Sequence, residues 1–189
     1  RYGYHWEHPL RFELAEKLAD IMPGKQLPRF SFEVSGTEAV EAAVHLALCY
    51  KQRRHIISFT SCYHGEGLGT KVISAYSSDN NLYLEAWAGG VIKAPYPYSD
   101  GIPAGMTENQ YVDYCLWYLE THIPDFIAPA ENIAAVLIEP GLAEGGNWIP
   151  TKEFMQGIRR ICNEHDWLLI ADEVLTGLGR TGRLWGVDH

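Results

Sequence analysis

One short stretch combines residue types that can bind a phosphate or another small anion. Ser35, Gly36 and Thr37 stand immediately before a predicted helix, and Glu38 follows them. The unpaired amides and the dipole of a helix N-terminus favour an anion, and a glycine lets a phosphate approach the main chain. The same residues also fit an ordinary capping box, with Ser35 as the N-cap and Glu38 as the acid. Both interpretations stay open from this stretch alone.

A single aspartate ends the most apolar segment of the chain. Asp172 follows Trp167–Ala171, so its carboxylate is expected at the rim of a buried sheet, where it needs a charged or hydrogen-bonding partner. A protonated ring nitrogen is one such partner, because the aspartate would hold the proton and make a pyridinium an electron sink. A cap for the next turn and a metal site shared with Glu173 are the alternatives. Joint metal ligation is disfavoured, since adjacent strand residues point to opposite faces.

An aromatic residue and a histidine follow an earlier predicted strand. The ring of Tyr63 can stack on a flat cofactor and His64 can bond to it, although an aromatic side chain there also fits ordinary core packing.

Residues 177–182 satisfy G-x-G-x-x-G, a pattern that opens a helix in dinucleotide-binding proteins and precedes an acid about 20 residues later. Because Leu184–Gly186 follows instead of a clear helix signal, the pattern alone does not establish a nicotinamide site.

Alternating helices and short apolar strands must position these groups. The predicted strands are Phe30–Val34, Ile56–Phe59, Val91–Ala94, Ala134–Ile138 and Trp167–Ala171. The predicted helices contain Leu10–Ile21, the stripe Val40, Val44 and Leu48, the segment Tyr111–His122, and a segment capped by Thr151 that carries Phe154, Ile158 and Ile161. Such alternation predicts an α/β fold with a mostly parallel sheet and helices on both faces. Ligands of these sheets bind at the carboxyl ends of the strands, where Ser35–Thr37, Glu139 and Asp172 are expected to converge.

The composition argues against several other classes of protein. The 189 residues carry a net charge of −9, which argues against binding to nucleic-acid phosphates. Four dispersed cysteines without a C-x-x-C pair predict reduced thiols rather than disulfides or a metal site. The apolar run Ile133–Ile138 is too short to span a bilayer, and the first residues lack the apolar core of a signal peptide. We therefore expect a cytoplasmic protein without a membrane segment.

Five motifs occur in an order that resembles the class III (ω-amino-acid) pyridoxal-phosphate-dependent aminotransferases. They are LAEKLADIMPG (14–24), SGTEAVEAA (35–43), YHG (63–65), IEP (138–140) with the following Glu144–Gly146, and LLIADEVLTGLGRTG (168–182). The likeness covers essentially the whole chain. The 4-aminobutyrate aminotransferase branch is the most similar, through Ala94–Pro97 and the stretch from Asn132 to Pro150.

The resemblance implies a fold-type-I large domain that binds pyridoxal 5'-phosphate, of which residues 1–189 form a part. The implied cofactor contacts are Gly36 and Thr37 to the phosphate, Tyr63 and Val174 on the two faces of the pyridine ring, and Asp172 to the ring nitrogen. The Schiff-base lysine and the small C-terminal domain are expected beyond His189.

Two acids and two departures from the family pattern concern the substrate pocket. Glu144 resembles the acid that gates an arginine supplied by the C-terminal part, and Glu139 resembles a neighbouring carboxylate that helps to shape the pocket. Leu175 stands where the family usually has a glutamine that bonds the phenolic oxygen of the cofactor. Gly141 and Leu142 stand where it usually has Val-Gln or Ile-Gln. Each departure is expected to remove a polar group from the pocket, which leaves classical transaminase specificity open.

The activity that the resemblance implies for the full-length protein is amino transfer from an ω-amino acid or amine to a 2-oxo acid, in a homodimer or a dimer of dimers. Residues 1–189 alone are expected to be inactive, because they lack the amine nucleophile. A racemase, aminomutase or decarboxylase of the same family is the nearest alternative. A nicotinamide-dependent oxidoreductase and a non-catalytic remnant are alternatives of other classes.

Overall fold

The computed structural model describes residues 8–25, 27–81, 84 and 89–189, in which helices and strands alternate. The strands are β1 (His55–Phe59), β2 (Val91–Ala94), β3 (Ile133–Ile138) and β4 (Leu168–Ala171). The helices are α1 (Pro9–Ile21), α2 (Gly36–Lys51), α3 (Leu68–Ile73), α4 (Glu108–Trp117), α5 (Ile123–Phe126) and α6 (Lys152–Glu164). A π-helical turn, Tyr118–His122, joins α4 to α5, and 3-10 turns lie at Pro23–Lys25, Ser78–Asn81, Ser99–Gly101, Ala130–Asn132 and Gly186–Asp188.

The four strands form one parallel sheet in the order β2-β1-β3-β4. Parallel neighbours need crossover connections, and helical segments run between successive strands here. All six residues of the interior strand β3 are buried, as a sheet covered on both faces requires. Because the strands are parallel, the carboxyl ends of β1, β3 and β4 lie at one edge of the sheet. Tyr63, His64, Glu139 and Asp172 follow those three ends.

Alternate strand residues point into two cores on opposite faces of the sheet. On one face, strand residues pack against α4 and α6; the buried members include Ile57, Phe59, Val136, Ile138, Val112, Cys115, Phe154, Ile158 and Ile161. On the other face, strand residues pack against α2 and α3; the buried members are Val40, Ala47, Ile56, Val72, Ile73, Ala134, Ala135 and Leu137. Burial of this apolar surface stabilises the fold by about 25 cal/mol per Å². The fold is the predicted α/β arrangement.

Most of the predicted elements are present, with one clear exception. The strands at 56–59, 91–94, 134–138 and 167–171 are confirmed to within a residue or two. The strand predicted at Phe30–Val34 is wrong, because that segment pairs with no other strand in the described part of the chain. The rings of Phe30 and Phe32 stack with centroids 6.5 Å apart, and Val34 is 90% exposed. The alternating pattern therefore corresponds to a segment that pairs with no neighbouring strand among the described residues.

Side-chain caps set the start of the principal helices. Thr151 Oγ1 accepts a hydrogen bond from the amide of Phe154 at 3.3 Å and begins α6, as predicted. Thr107 and Gln110 form a reciprocal capping box at the start of α4. The predicted helix Tyr111–His122 begins earlier, at Glu108, and its last turn is π-helical. Among the described residues, every helix is too short or too polar to span a bilayer.

Candidate active site

A cleft of about 290 Å³ lies at the carboxyl edge of the sheet, close to the lower end of the range for small-molecule sites, about 300–1,000 Å³. All eight predicted site residues line it, together with Val40, Gly65, Ala143 and Leu175. The eight are Gly36, Thr37, Tyr63, His64, Glu139, Glu144, Asp172 and Val174. They come from the start of α2 and from the loops that follow β1, β3 and β4.

The start of α2 presents open amides to the cleft. Ser35 Oγ accepts a hydrogen bond from the amide of Glu38 at 3.2 Å, so Ser35 is the N-cap. The carboxylate of Glu38 accepts from the amide of Val34, one residue before the position that a capping box uses. The first amides of a helix have no acceptor within it, and those of Gly36 and Thr37 have none in the described ranges. The 16-residue helix α2 therefore offers both a cap and an anion-binding end, so the two interpretations of this sequence are compatible.

Two glycines allow α2 to approach its neighbours closely. A Cβ at Gly36 would lie 2.9 Å from Val174 Cγ1, so only glycine lets the loop after β4 pack against the start of α2. Gly65 has a φ of +120°, which L side chains rarely adopt, and a Cβ there would collide with Thr37 Oγ1. These two glycines therefore let the loops after β4 and β1 lie close to the start of α2.

Asp172 and His64 form a buried hydrogen-bonded pair. The two carboxylate oxygens of Asp172 have different partners: Oδ2 lies 2.7 Å from His64 Nδ1, and Oδ1 accepts from the amide of Val174 at 3.1 Å. The His64 amide donates to Ser74 Oγ at 2.9 Å, which anchors the histidine from behind. Asp172 is 9% exposed, so these bonds supply the partners that a buried carboxylate needs. Asp172 is thus fixed in orientation, and it still lines the cleft.

The environment of His64 favours its charged form. Burial is the largest single influence and lowers the pKa of this imidazole, but the hydrogen bond to Asp172, the contact with Cys62 and the charge of Asp172 together outweigh it, and the pKa rises from 6.5 to about 9. In the described part of the chain His64 Nε2 has no hydrogen-bond partner. The sequence predicts that His64 bonds to the cofactor, and this stays a prediction. Its Nδ1 lies 2.7 Å from Asp172 Oδ2.

Tyr63 and Glu139 are connected through the main chain. Glu139 Oε2 accepts from the Tyr63 amide at 2.8 Å, and Oε1 accepts from the Ala143 amide at 3.2 Å. The ring of Tyr63 packs edge-on against Tyr76, with centroids 5.4 Å apart. Burial, followed by the nearby charge of Glu66, raises the pKa of Tyr63, which keeps the phenol protonated.

The remaining pocket residues differ in exposure. Val174 is 67% and Leu175 48% exposed, and both line the cleft, so an apolar group replaces a polar one there relative to the family pattern. The corresponding expectation for Leu142 is wrong. Its side chain is 1% exposed and packs in the core with Tyr96 and Phe154, outside the cleft. Leu142 lies in a buried turn next to the sheet and packs against core residues. A leucine at this position therefore does not remove a polar group from the pocket.

The glycine-rich pattern at 177–182 does not form a dinucleotide site. Residues 174–181 are turns, and only the short 3-10 turn Gly186–Asp188 follows, where the fingerprint requires a helix. Glu173 organises this segment, because its carboxylate accepts the amides of Gly186 and Val187, each at 2.9 Å. The carboxylate of Glu173 therefore supports the loop after β4. Within the described ranges no group of three or more His, Cys, Asp or Glu is arranged to hold a metal ion.

The sequence profile of "Aminotransferase class-III" matches residues 6–189. The chain belongs to this family. A probable 4-aminobutyrate aminotransferase of Bacillus subtilis is 37% identical over 182 residues, which are 96% of this chain and 42% of that protein. An isoleucine 2-epimerase of Lentilactobacillus buchneri is 36% identical over 98% of this chain and 41% of its own length.

Solved structures of transaminases share the fold. An (S)-enantioselective ω-transaminase from Thermomicrobium roseum superposes with a TM-score of 0.86 at 31% identity, over 98% of this chain and 42% of that chain. An amine transaminase from an uncultivated Pseudomonas species, in its PLP-bound form, gives a TM-score of 0.86 at 28% identity, with coverages of 98% and 43%. This class III aminotransferase chain therefore spans about two fifths of the length of these relatives. Its fold is that of a fold-type-I large domain, and its cofactor is pyridoxal phosphate.

Sequence reasoning missed how four of these residues are held. The bond between His64 and Asp172 joins positions 108 apart in the sequence, and the bond from Tyr63 to Glu139 joins positions 76 apart. No local pattern marks either contact. Their only signal in the sequence is that each residue follows an apolar strand of one parallel sheet.

Proposed function

We propose that the full-length protein is a pyridoxal-phosphate-dependent aminotransferase that moves an amino group from an ω-amino acid or amine to a 2-oxo acid. One observation carries the proposal: the buried, oriented carboxylate of Asp172 shares a cleft with the open amides of α2 and with the ring of Tyr63. An anion site, a carboxylate and an aromatic face are the three contacts that a phosphorylated pyridine ring requires.

The residues of the cleft fit the cofactor in chemistry as well as position. The amides of Gly36 and Thr37 would bind the phosphate, with the helix dipole contributing about 0.3–1 kcal/mol at an exposed site. Tyr63 and Val174 would pack on opposite faces of the ring. Asp172 would hold a proton on the ring nitrogen, and His64 would keep that carboxylate in place. When bound, pyridoxal phosphate supplies an electron sink that stabilises negative charge at the substrate carbon.

No lysine stands among the described residues that line the cleft. We propose that the Schiff-base lysine and the arginine gated by Glu144 come from parts of the longer protein outside residues 1–189, and that this segment alone is inactive. We also propose that the active form is a cytoplasmic homodimer or dimer of dimers. Residues 1–189 would then be the larger share of the cofactor-binding domain, with the small domain elsewhere in the protein.

An epimerase or racemase is the second candidate. It is supported by the 36% identity to an isoleucine 2-epimerase over 98% of this chain. Both candidates use the same cofactor contacts, so the geometry of the cleft supports them equally. The similarity to aminotransferases of several organisms favours amino transfer.

The test is a product analysis of the full-length protein loaded with pyridoxal phosphate. ω-Amino acids, primary amines and single enantiomers of α-amino acids are each incubated with and without a 2-oxo acid, and the products are separated by chiral chromatography. We expect amination of the 2-oxo acid in proportion to donor consumed, with loss of both in Asp172→Asn. Inversion of an α-amino acid without any 2-oxo acid would support the epimerase instead. Full cofactor binding without either reaction would support a non-catalytic remnant of an enzyme.

A further inference from the structure

Glu139 is a buried carboxylate whose contacts are to the protein itself. It follows the carboxyl end of β3 and is 5% exposed. Its two oxygens accept from two different main-chain amides, those of Tyr63 at 2.8 Å and of Ala143 at 3.2 Å. A charged acceptor makes stronger hydrogen bonds to amides than a neutral one, and leaving a buried amide unpaired is costly. Both carboxylate oxygens of Glu139 therefore hold main-chain segments, one at Tyr63 and one at Ala143.

The two segments are neighbouring walls of the cleft. Tyr63 lies on the loop after β1 and presents its ring to the cleft. Ala143 begins a tight turn in which its carbonyl accepts from the amides of Gly146 and Asn147, and this turn carries Glu144. The turn also lies directly against the loop after β1, because a side chain at Gly145 would collide with the carbonyl of Ser61.

We infer that Glu139 is a positioning residue that fixes the ring of Tyr63 and the turn carrying Glu144 at a set separation. A single carboxylate thereby sets both the stacking surface for the cofactor and the wall next to the substrate. The inference rests on the proposed function and specifies how Glu139 would shape the pocket, by supporting both walls through their main-chain amides. Burial raises the pKa of Glu139, which the two amides and His64 oppose.

The test uses the full-length enzyme and measures the dissociation constant of pyridoxal phosphate by absorbance titration, together with KM for the amino donor. In Glu139→Gln, one of the two amides faces an NH2 group instead of an oxygen. We expect about tenfold weaker cofactor binding and a higher donor KM, because each wall loses its fixed position. Glu139→Asp keeps the charge but is too short to reach both amides, so it should fall between the wild type and Glu139→Gln.

A double-mutant cycle with Tyr63→Ala separates positioning from a general loss of stability. If Glu139 acts through the ring of Tyr63, Glu139→Gln should weaken cofactor binding less than about twofold once that ring is absent. Glu173→Gln is the matched control, since Glu173 also holds two amides but does not line the cleft. It should lower the thermal midpoint and leave the cofactor dissociation constant unchanged.

The outcomes are distinct. A wild-type enzyme that does not bind pyridoxal phosphate would overturn the proposed function itself. A wild-type enzyme that binds it, with unchanged affinity in both Glu139 variants, would overturn only the positioning role. A rise in donor KM without any change in cofactor affinity would show that Glu139 contacts the substrate instead, and additive effects in the cycle would show that it does not act through Tyr63.

Discussion

Replacing Asp172 by asparagine should change the protonation of His64 before any cofactor is added. Burial lowers the pKa of His64, but the 2.7 Å hydrogen bond from Nδ1 to the Asp172 carboxylate, the contact with Cys62 and the charge of Asp172 together raise it to about 9. Without the carboxylate, burial is opposed only by Cys62, so the pKa of His64 should fall from about 9 to near or below its usual value of about 6.5. The Asp172→Asn protein should therefore contain a neutral His64 at pH 7.5, where the wild type contains an imidazolium.

The same pair makes the stability of the apo-protein depend on pH. A histidine whose folded pKa is raised stabilises the folded state fully below its unfolded pKa and loses that stabilisation as pH rises through the folded pKa. The separation between 6.5 and about 9 corresponds to about 3 kcal/mol, of which about 2 kcal/mol should disappear between pH 6.5 and 8. Burial lowers the pKa of Lys93 to about 8, so Lys93 increases the stability of the folded state as pH rises above about 8. The window from pH 6.5 to 8 lies below that range.

The assay is NMR of the full-length apo-protein labelled with 13C at the histidine Cε1, with the His64 signal assigned from its absence in His64→Gln. Thermal midpoints from pH 6 to 8 are measured in parallel. We expect a His64 signal that titrates near pH 9 in the wild type and near or below 6.5 in Asp172→Asn. A falling midpoint is expected only when both residues are present. A His64 that titrates near 6.5 in both proteins would refute the reasoning.

Three further predictions concern the cleft and its support. Gly36→Ala places a Cβ 2.9 Å from Val174 Cγ1, so it should cost about 1–3 kcal/mol of unfolding free energy by chemical denaturation. Adding Val174→Ala should recover part of that loss, and no recovery would contradict the assigned clash. Leu175→Gln should leave the thermal midpoint unchanged but shift the absorption maximum of the bound cofactor, and an unchanged spectrum would place residue 175 away from the phenolic oxygen. Because burial lowers the pKa of Lys93 to about 8, the folded protein should gain stability as pH rises from 8 towards 10.5. Lys93→Met should abolish that gain in thermal midpoint, and its persistence would assign it to another group.

The sheet could be predicted from the sequence because its strands are locally encoded. Leu168–Ala171 and Ile133–Ile138 are short apolar runs between helices, a pattern typical of strands buried on both faces. Phe30–Val34 has an equally regular pattern but forms no strand. A strand also needs a neighbour to accept its ladder hydrogen bonds, and whether one is in reach depends on the tertiary structure.

The residues that line the cleft could be predicted from the sequence, but their hydrogen-bond partners could not. Asp172, Glu139 and Tyr63 each follow a predicted strand, so a parallel sheet brings them to one edge. The partner of each group is a non-local choice. Asp172 bonds to His64, and Glu139 bonds to main-chain amides that any residue type would offer. Leu142 shows the reverse error, since its motif predicts a position in the pocket wall but its side chain lies in the core.

We propose that Asp172 holds a proton on the ring nitrogen of pyridoxal phosphate. The most direct measurement is the 15N chemical shift of that nitrogen in full-length enzyme reconstituted with ring-labelled cofactor, in the wild type and in Asp172→Asn. We predict a protonated ring nitrogen in the wild type at pH 7.5 and an unprotonated one in the variant. The same chemical shift in both proteins would show that position 172 does not contact the ring nitrogen.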